Sequence, residues 1–267
     1  MHPLAVFLIV NVLIRGTVGI EIWVDYPYQV SVEKEGFPIC SGSIINHRFI
    51  LTAAQCVYQK HPSDITVRAG HKYLLSGGDT YSADQLICHW HYDILTSRGD
   101  IALIRVAKDI VYNERVQPIR LSATYLFPMQ QNAVVTSWGS LTQSIELYAW
   151  LYQTNVTLIM QDTCQMCWPV MEGNICALED SYRKRCTGKN AGDPLILYGE
   201  LIGIVSYATL CTIDYPDLYT AVYYYKTWID NHATSSGIQT HPNMGTAAVM
   251  FAVSTIVMYL HSLYQQC

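Results

Sequence analysis

Positive charge is scarce in this chain. Sixteen Lys and Arg residues stand against 21 Asp and Glu, a formal net charge of −5. No basic excess is available to neutralise phosphates, so nucleic acid is not an expected partner. Charge of either sign is low, at 14% of 267 residues, whereas 51% are hydrophobic and 12% aromatic. A chain so poor in charge and rich in aromatics is not disordered. The 16 Gly and 10 Pro are too few for a collagen-like or low-complexity architecture. Between Ile20 and Ser235 there is no Pro/Gly/Ser-rich linker, charge run or internal repeat.

Charge is nearly absent from both ends: Arg15 is the one Lys, Arg, Asp or Glu before Glu21, and none follows Asp230. In Leu4–Ile14 only Asn11 is polar, and the small residues of Thr17-Val18-Gly19 follow. Residues 1–19 read as a secretory signal peptide, too short to span a membrane. At the other end, Asp230 is the last charged residue. Small residues Ala233–Gly237, a polar stretch to Asn243 and an apolar run from Met244 to Leu260 follow in the order of a glycolipid-anchor signal, with Ser235 as the attachment residue. The competing reading is a single membrane helix. Met244–Leu260 would reach only about 26 Å of a roughly 30 Å hydrocarbon core, and no Lys or Arg follows to hold a cytoplasmic end. The expected organisation is a signal peptide (1–19), a folded domain (20–235) and a hydrophobic tail (236–267). The protein is expected on the outer face of the cell membrane or secreted.

Within the domain, short β-branched or aromatic segments alternate with turn signals. They are Val30–Val32, Ser43–Leu51, Ile101–Val106, Val134–Trp138, Asn155–Ile159, Leu195–Val205 and Leu218–Tyr223. This spacing predicts an all-β barrel or sandwich. Val222, Tyr225 and Ile229 lie at helical spacing and predict one C-terminal helix.

Nine cysteines behind an export signal should mostly form disulfides. Cys164-Gln165-Met166-Cys167 has the spacing of a zinc or redox pair, but no second pair and no βαβ pattern accompany it. His89-Trp90-His91 is equally isolated, and neither a metal nor a cofactor is expected.

A family resemblance rests on ordered landmarks. They are Pro27–Val32, Cys40–Ile45 with Ile50–Cys56, Asp100–Val106, Val135–Gly139, Gly203–Tyr207, Pro216–Thr220, and Val222 with Trp228-Ile229. From about Tyr26 to Asn231 the chain resembles the trypsin/chymotrypsin serine proteases. That resemblance implies two six-stranded antiparallel β-barrels with a cleft between them. It further implies bridges Cys40–Cys56, Cys164–Cys176 and Cys186–Cys211, the first worth about 3 kcal/mol. One family bridge is missing as a pair, with Ala133 and Leu197 where cysteines would stand. Cys88 and Cys167 have no family partner; the default is a buried thiol at each, the alternatives a bond between them or to another chain.

The same resemblance exposes departures at the reaction centre. Serine-protease chemistry needs a hydroxyl, an imidazole and a carboxylate. Gln55 stands where the family has histidine, and a carboxamide does not exchange a proton near neutral pH. Asp100 matches the family aspartate. The serine loop reads Cys186-Thr-Gly-Lys-Asn-Ala-Gly-Asp-Pro194, one residue longer than the family pattern. Counted from Cys186 the nucleophile becomes Asn190; counted back from Pro194 it becomes Ala191. Neither supplies an oxygen nucleophile, and Lys189 or Asn190 replaces the preceding aspartate. No activation sequence precedes Pro27, and Lys184, within Arg183-Lys-Arg185, occupies the position that reads basic substrates in trypsin-like enzymes. Thr187, Ser206 and Ser137 are the other candidate hydroxyls, with Ser206 matching a family serine of the cleft wall. Asn155-Val-Thr157 is a glycosylation sequon in a predicted strand.

The expected function is therefore that of an inactive serine protease homologue that binds a protein partner outside the cell. An unconventional or residual peptidase is the alternative.

Overall fold

β-Branched and aromatic segments separated by tight turns form thirteen strands and two short α-helices among the described residues. The computed structural model describes residues 26–124, 130–139, 150–168, 170, 172–179, 188–208 and 215–234.

The first barrel closes β1 (Gln29–Lys34), β2 (Phe37–Ile44), β3 (Phe49–Thr52), β4 (Ile65–Ala69), β5 (Asp79–Cys88) and β6 (Ala102–Val106) in the order β1-β2-β3-β6-β5-β4. All neighbours are antiparallel. Val30, Val32, Ile50, Leu51, Val67 and Ile104 are fully buried in its core.

The chain then passes through β7 (Arg120–Leu121) into β8 (Asn132–Ser137) and β9 (Tyr152–Ile159). Helix α1 (Gln161–Gln165), β10 (Asn174–Glu179), β11 (Pro194–Leu197), β12 (Glu200–Tyr207) and β13 (Asp217–Ala221) complete the second half. The order β11-β8-β9-β10-β13-β12, with β12 pairing back on β11, closes a second six-stranded antiparallel barrel. Strand β7 adds to it in parallel beside β12. The expected two-barrel architecture is thus present.

Several local expectations change. Ser43–Leu51 and Leu195–Val205 are each two strands rather than one. Asn46 turns the first, its side-chain oxygen accepting from the N–H groups of Arg48 and Phe49 (both 2.9 Å). Tyr198 and Gly199, both at positive φ, turn the second. The terminal helix α2 (Lys226–His232) begins after Tyr225, so Val222 and Tyr225 lie in the turn before it. They are buried nonetheless and, with Ile229, pack into the core of the first barrel.

Cys40–Cys56 and Cys164–Cys176 are bonded as expected. Cys88 is also disulfide-bonded, to a cysteine outside the described residues, so the default of a buried thiol is corrected there. Cys167 is free and half-buried, which removes a Cys88–Cys167 pair. Ala133 and Leu197 are buried in the second core on adjacent strands, an apolar contact where the resemblance would put a bridge. Cys186, Cys211, the N-terminal segment, Ser235 and the tail lie outside the described residues. Among the described residues no helix is long and apolar enough to cross a membrane.

Candidate active-site cleft

Gln55 lies in a single 3-10 turn, Ala54–Cys56, directly after β3. The Cys40–Cys56 bond fastens that turn to β2. Asp100 is fully buried just ahead of β6. The two meet: the Gln55 backbone N–H donates to Asp100 Oδ1 (2.9 Å) and its carboxamide Nε2 to Oδ2 (2.6 Å). The second barrel supplies further partners. Ser206 Oγ donates to Asp100 Oδ2 (2.6 Å), and the Ser206 carbonyl accepts from Gln55 Nε2 (2.7 Å). Thr220 Oγ1 donates to the Asp100 carbonyl (2.9 Å). Burial pushes the Asp100 carboxyl above its usual range, and the Ser206 and Gln55 donors offset only part of that push. Gln55 itself remains exposed at the surface.

The loop entering β11 decides between the two registrations. The Asn190 side chain turns away from Gln55, Nδ2 donating to the Gly139 carbonyl (2.6 Å) and to Ser137 Oγ (3.3 Å). Ala191 is strapped to the segment carrying Gln55. Its carbonyl accepts from the Ser41 N–H (2.9 Å) and lies 3.8 Å from Cys56 Sγ. Ala191 therefore lies against the turn that carries Gln55, whereas the Asn190 side chain is buried against Ser137 and Gly139. Gly192 permits this approach: it sits at φ +84°, and a Cβ there would lie 2.0 Å from the Ser41 carbonyl oxygen. Two N–H groups of the loop are spent inward, Asn190 on Asp193 Oδ2 (2.6 Å) and Gly192 on the Val205 carbonyl (2.8 Å).

Sequence reasoning missed Asp193. It is fully buried where the barrels meet, and Gln29 Nε2 of β1 donates to its Oδ1 (3.2 Å). Gln29 also holds Thr136 of β8, donating to its carbonyl (3.3 Å) and accepting from its hydroxyl (2.6 Å). Burial pushes the Asp193 carboxyl up to about 6, against the hydrogen bonds from Asn190 and its neighbours. The visible signal was an acidic residue in place of a small one directly before Pro194.

Lys189 also goes elsewhere. Its ammonium is buried between Glu179 (2.7 Å) and Asp217 (2.8 Å). Desolvation alone would lower its pKa, but the two carboxylates outweigh it and hold the group above its ordinary value.

The remaining candidates separate. Ser137 Oγ donates to the Gly188 carbonyl (3.2 Å). Ser31 contacts His71 Nε2 (3.3 Å), but Ser31 is fully buried in the first barrel and the other ring nitrogen faces the Tyr73 carbonyl. His61 contacts Ser63 as the cap of a 3-10 turn. His89 packs edge-on against Tyr225 and Trp228, and burial pushes it down to about 4. Asn155 is exposed on β9. Arg183, Lys184, Arg185 and Thr187 lie outside the described residues. Among the described residues no group of three or more His, Cys, Asp or Glu side chains could hold a metal ion.

The Gln55 carboxamide can donate and accept hydrogen bonds, and the Ala191 methyl carries no lone pair. Gln55, Asp100 and Ser206 together form a hydrogen-bonded brace between the barrels.

Comparison with known proteins agrees with this architecture. The family described as Trypsin matches residues 23–229. Chymotrypsin-2 of Vespa crabro is 35% identical over 208 residues, 78% of this chain and 94% of that protein. Trypsin alpha of Drosophila melanogaster is 31% identical over 218 residues, 79% and 84% respectively. Among solved structures, neuropsin, a serine protease of mouse brain, superposes with a TM-score of 0.69 at 28% identity, covering 78% of this chain and 95% of its own. The scabies mite inactivated protease paralogue S-D1 superposes with a TM-score of 0.69 at 28% identity, covering 77% and 91%. Two closed barrels, the ordered landmarks and these relatives together establish that the chain belongs to the trypsin family.

Proposed function

We propose that this protein is a trypsin-family member without protease activity that binds a protein partner outside the cell. One observation carries the reading: Gln55 Nε2 lies 2.6 Å from Asp100 Oδ2, filling with a carboxamide the place where proton transfer needs an imidazole. The Ala191 methyl offers no nucleophile. The scabies mite structure, described as an inactivated protease paralogue, offers a precedent on this fold. A protease cleft and its loops are built to hold extended polypeptide, which suits them to binding without turnover.

The test is labelling of the purified protein with a fluorophosphonate probe, alongside turnover of a panel of peptide esters. Neither is expected above a heat-denatured blank. Stoichiometric labelling of any serine or threonine would overturn the reading. The extracellular placement rests on the apolar ends of the sequence. Glycolipid attachment at Ser235 predicts release from intact cells by phosphatidylinositol-specific phospholipase; retention would favour the membrane helix.

A further inference from the structure

We propose that the face around the end of α2 rests on the lipid–water interface of the membrane, with Trp90, Ile94 and Leu95 entering it. The inference builds on the membrane attachment proposed above and adds how the folded domain sits on the bilayer. Three large apolar side chains crowd the loop between β5 and Asp100: Trp90 is 68% exposed, Ile94 69% and Leu95 92%. None of the three joins a core cluster. The loop closes on itself where Asp93 and Arg98 pair, which leaves Ile94 and Leu95 at its tip. Apolar side chains gathered on a surface in this way mark a contact site.

The loop is fastened to the helix where the described domain ends. His89 packs edge-on against Trp228 at 5.2 Å, and His232 Nδ1 meets the Trp228 carbonyl (2.8 Å) one residue before Ala233. At the same exit Asn46 Nδ2 donates to the Ala233 carbonyl (2.8 Å). The adjoining His47 faces the Ile110 carbonyl (3.0 Å) and stacks on Tyr112. Val111, between those two residues, is 70% exposed. Chain length names the occupant of this face. The apolar run begins at Met244, and residues 234–243 reach about 35 Å at most. Attachment at Ser235 leaves only about 7 Å of polypeptide. Either tether holds the surface around Ala233 closest to the bilayer. Tryptophan favours the interfacial zone, and apolar faces lying there sink roughly 5–10 Å into it. Charge selects the lipid class: Asp93 balances Arg98 in the loop, and Asp109 balances Lys108 ahead of Val111. A zwitterionic phosphatidylcholine surface therefore suffices, with no requirement for anionic lipid.

The test uses the protein extracted with its own anchor from the cells that make it, reconstituted in phosphatidylcholine nanodiscs. Acyl chains brominated near the headgroup quench tryptophan on contact. Trp90 is one of six Trp residues, so its quenching should remove about one sixth of the emission seen in unbrominated discs. Trp90→Phe should lose that drop. Ile94→Asp with Leu95→Asp should reduce it severalfold while disc association and Tm stay unchanged. Added phosphatidylserine should leave the drop as it is. Equal quenching of the parent and Trp90→Phe, no quenching in either, or a drop indifferent to the two aspartates would overturn the inference and leave a protein partner as occupant of the patch. A drop that needs phosphatidylserine would overturn it too. A protein that never enters the discs would overturn membrane attachment as well, whereas loaded discs with an unquenched Trp90 would overturn this inference alone.

Discussion

Replacing Asp193 by Asn should change the pH dependence of stability in a defined direction. Asp193 is fully buried, and its carboxyl is pushed from 3.8 to about 6 in the folded protein. Below about pH 4 both folded and unfolded chains hold this proton, and above about pH 6 both have released it. Between those limits the folded protein keeps a proton that the unfolded chain has lost. Stability from this group is therefore present at low pH and falls as pH rises through the window. Two units at 1.36 kcal/mol each amount to about 3 kcal/mol. The Asn side chain is neutral throughout and keeps an oxygen for the Asn190 N–H, but its amide faces the Gln29 donor. That mismatch adds an offset independent of pH, so the slope of the difference is the informative quantity. Urea unfolding with disulfides intact, followed by Trp fluorescence from pH 4 to 7.5, would measure it. The stability of Asp193→Asn relative to the parent should rise by about 3 kcal/mol across the window. A flat difference would show that Asp193 ionises as freely inside the protein as in water, and the account of its burial would be wrong.

Gly192→Ala should cost more than about 3 kcal/mol, because left-handed backbone strain adds to a Cβ placed 2.0 Å from the Ser41 carbonyl oxygen. Gly199→Ala, at φ +76° with open space around it, should cost about 1 kcal/mol; equal losses in a denaturation assay would refute the steric argument. Gln55→His with Ala191→Ser should turn over peptide esters at less than about 1 s⁻¹, since Lys189 stays paired to Glu179 and Asp217 and the Asn190 side chain stays bound to Gly139 and Ser137, holding the loop on its present course; faster turnover would mean that the loop reorganises around a restored triad. Peptide mapping without reduction should find Cys40–Cys56, Cys164–Cys176 and an alkylated Cys167. If Cys186–Cys211 also forms, only Cys267 remains for Cys88, so if the tail is removed at Ser235, as proposed above, Cys88 should appear as a second alkylated thiol.

Legibility in the sequence followed how local each feature is. The apolar strands β3, β6 and β8 stand out because their β-branched residues are confined between turns. Strand β5 escaped notice because most of its residues face water or are only partly covered, so it lacks an apolar run. The turn within Leu195–Val205 was hidden because Tyr198 adopts positive φ, which a non-glycine residue rarely does. Gln55 and Asp100 were recognisable from neighbours at fixed spacing. The serine loop was not, because one extra residue leaves two registrations open, and only the Ser41–Ala191 hydrogen bond selects between them. The destinations of Lys189 and Asp193 depend on strands brought together from distant parts of the chain, and no local pattern announces them.

The packing of the chain's end has a consequence for the order in which the protein can be made. Val222, Tyr225 and Ile229 fill the core of the first barrel, whose six strands are complete by Val106. A nascent chain that has already synthesised those strands still lacks the residues that close one side of their core. Over a hundred residues must be added first, and at about 5–20 residues per second that takes at least several seconds. The strands of the first barrel are therefore complete while one apolar face still waits for its cover. Early folding should be chaperone-dependent, and chains truncated before Val222 should aggregate or be degraded even though both sets of barrel strands are present.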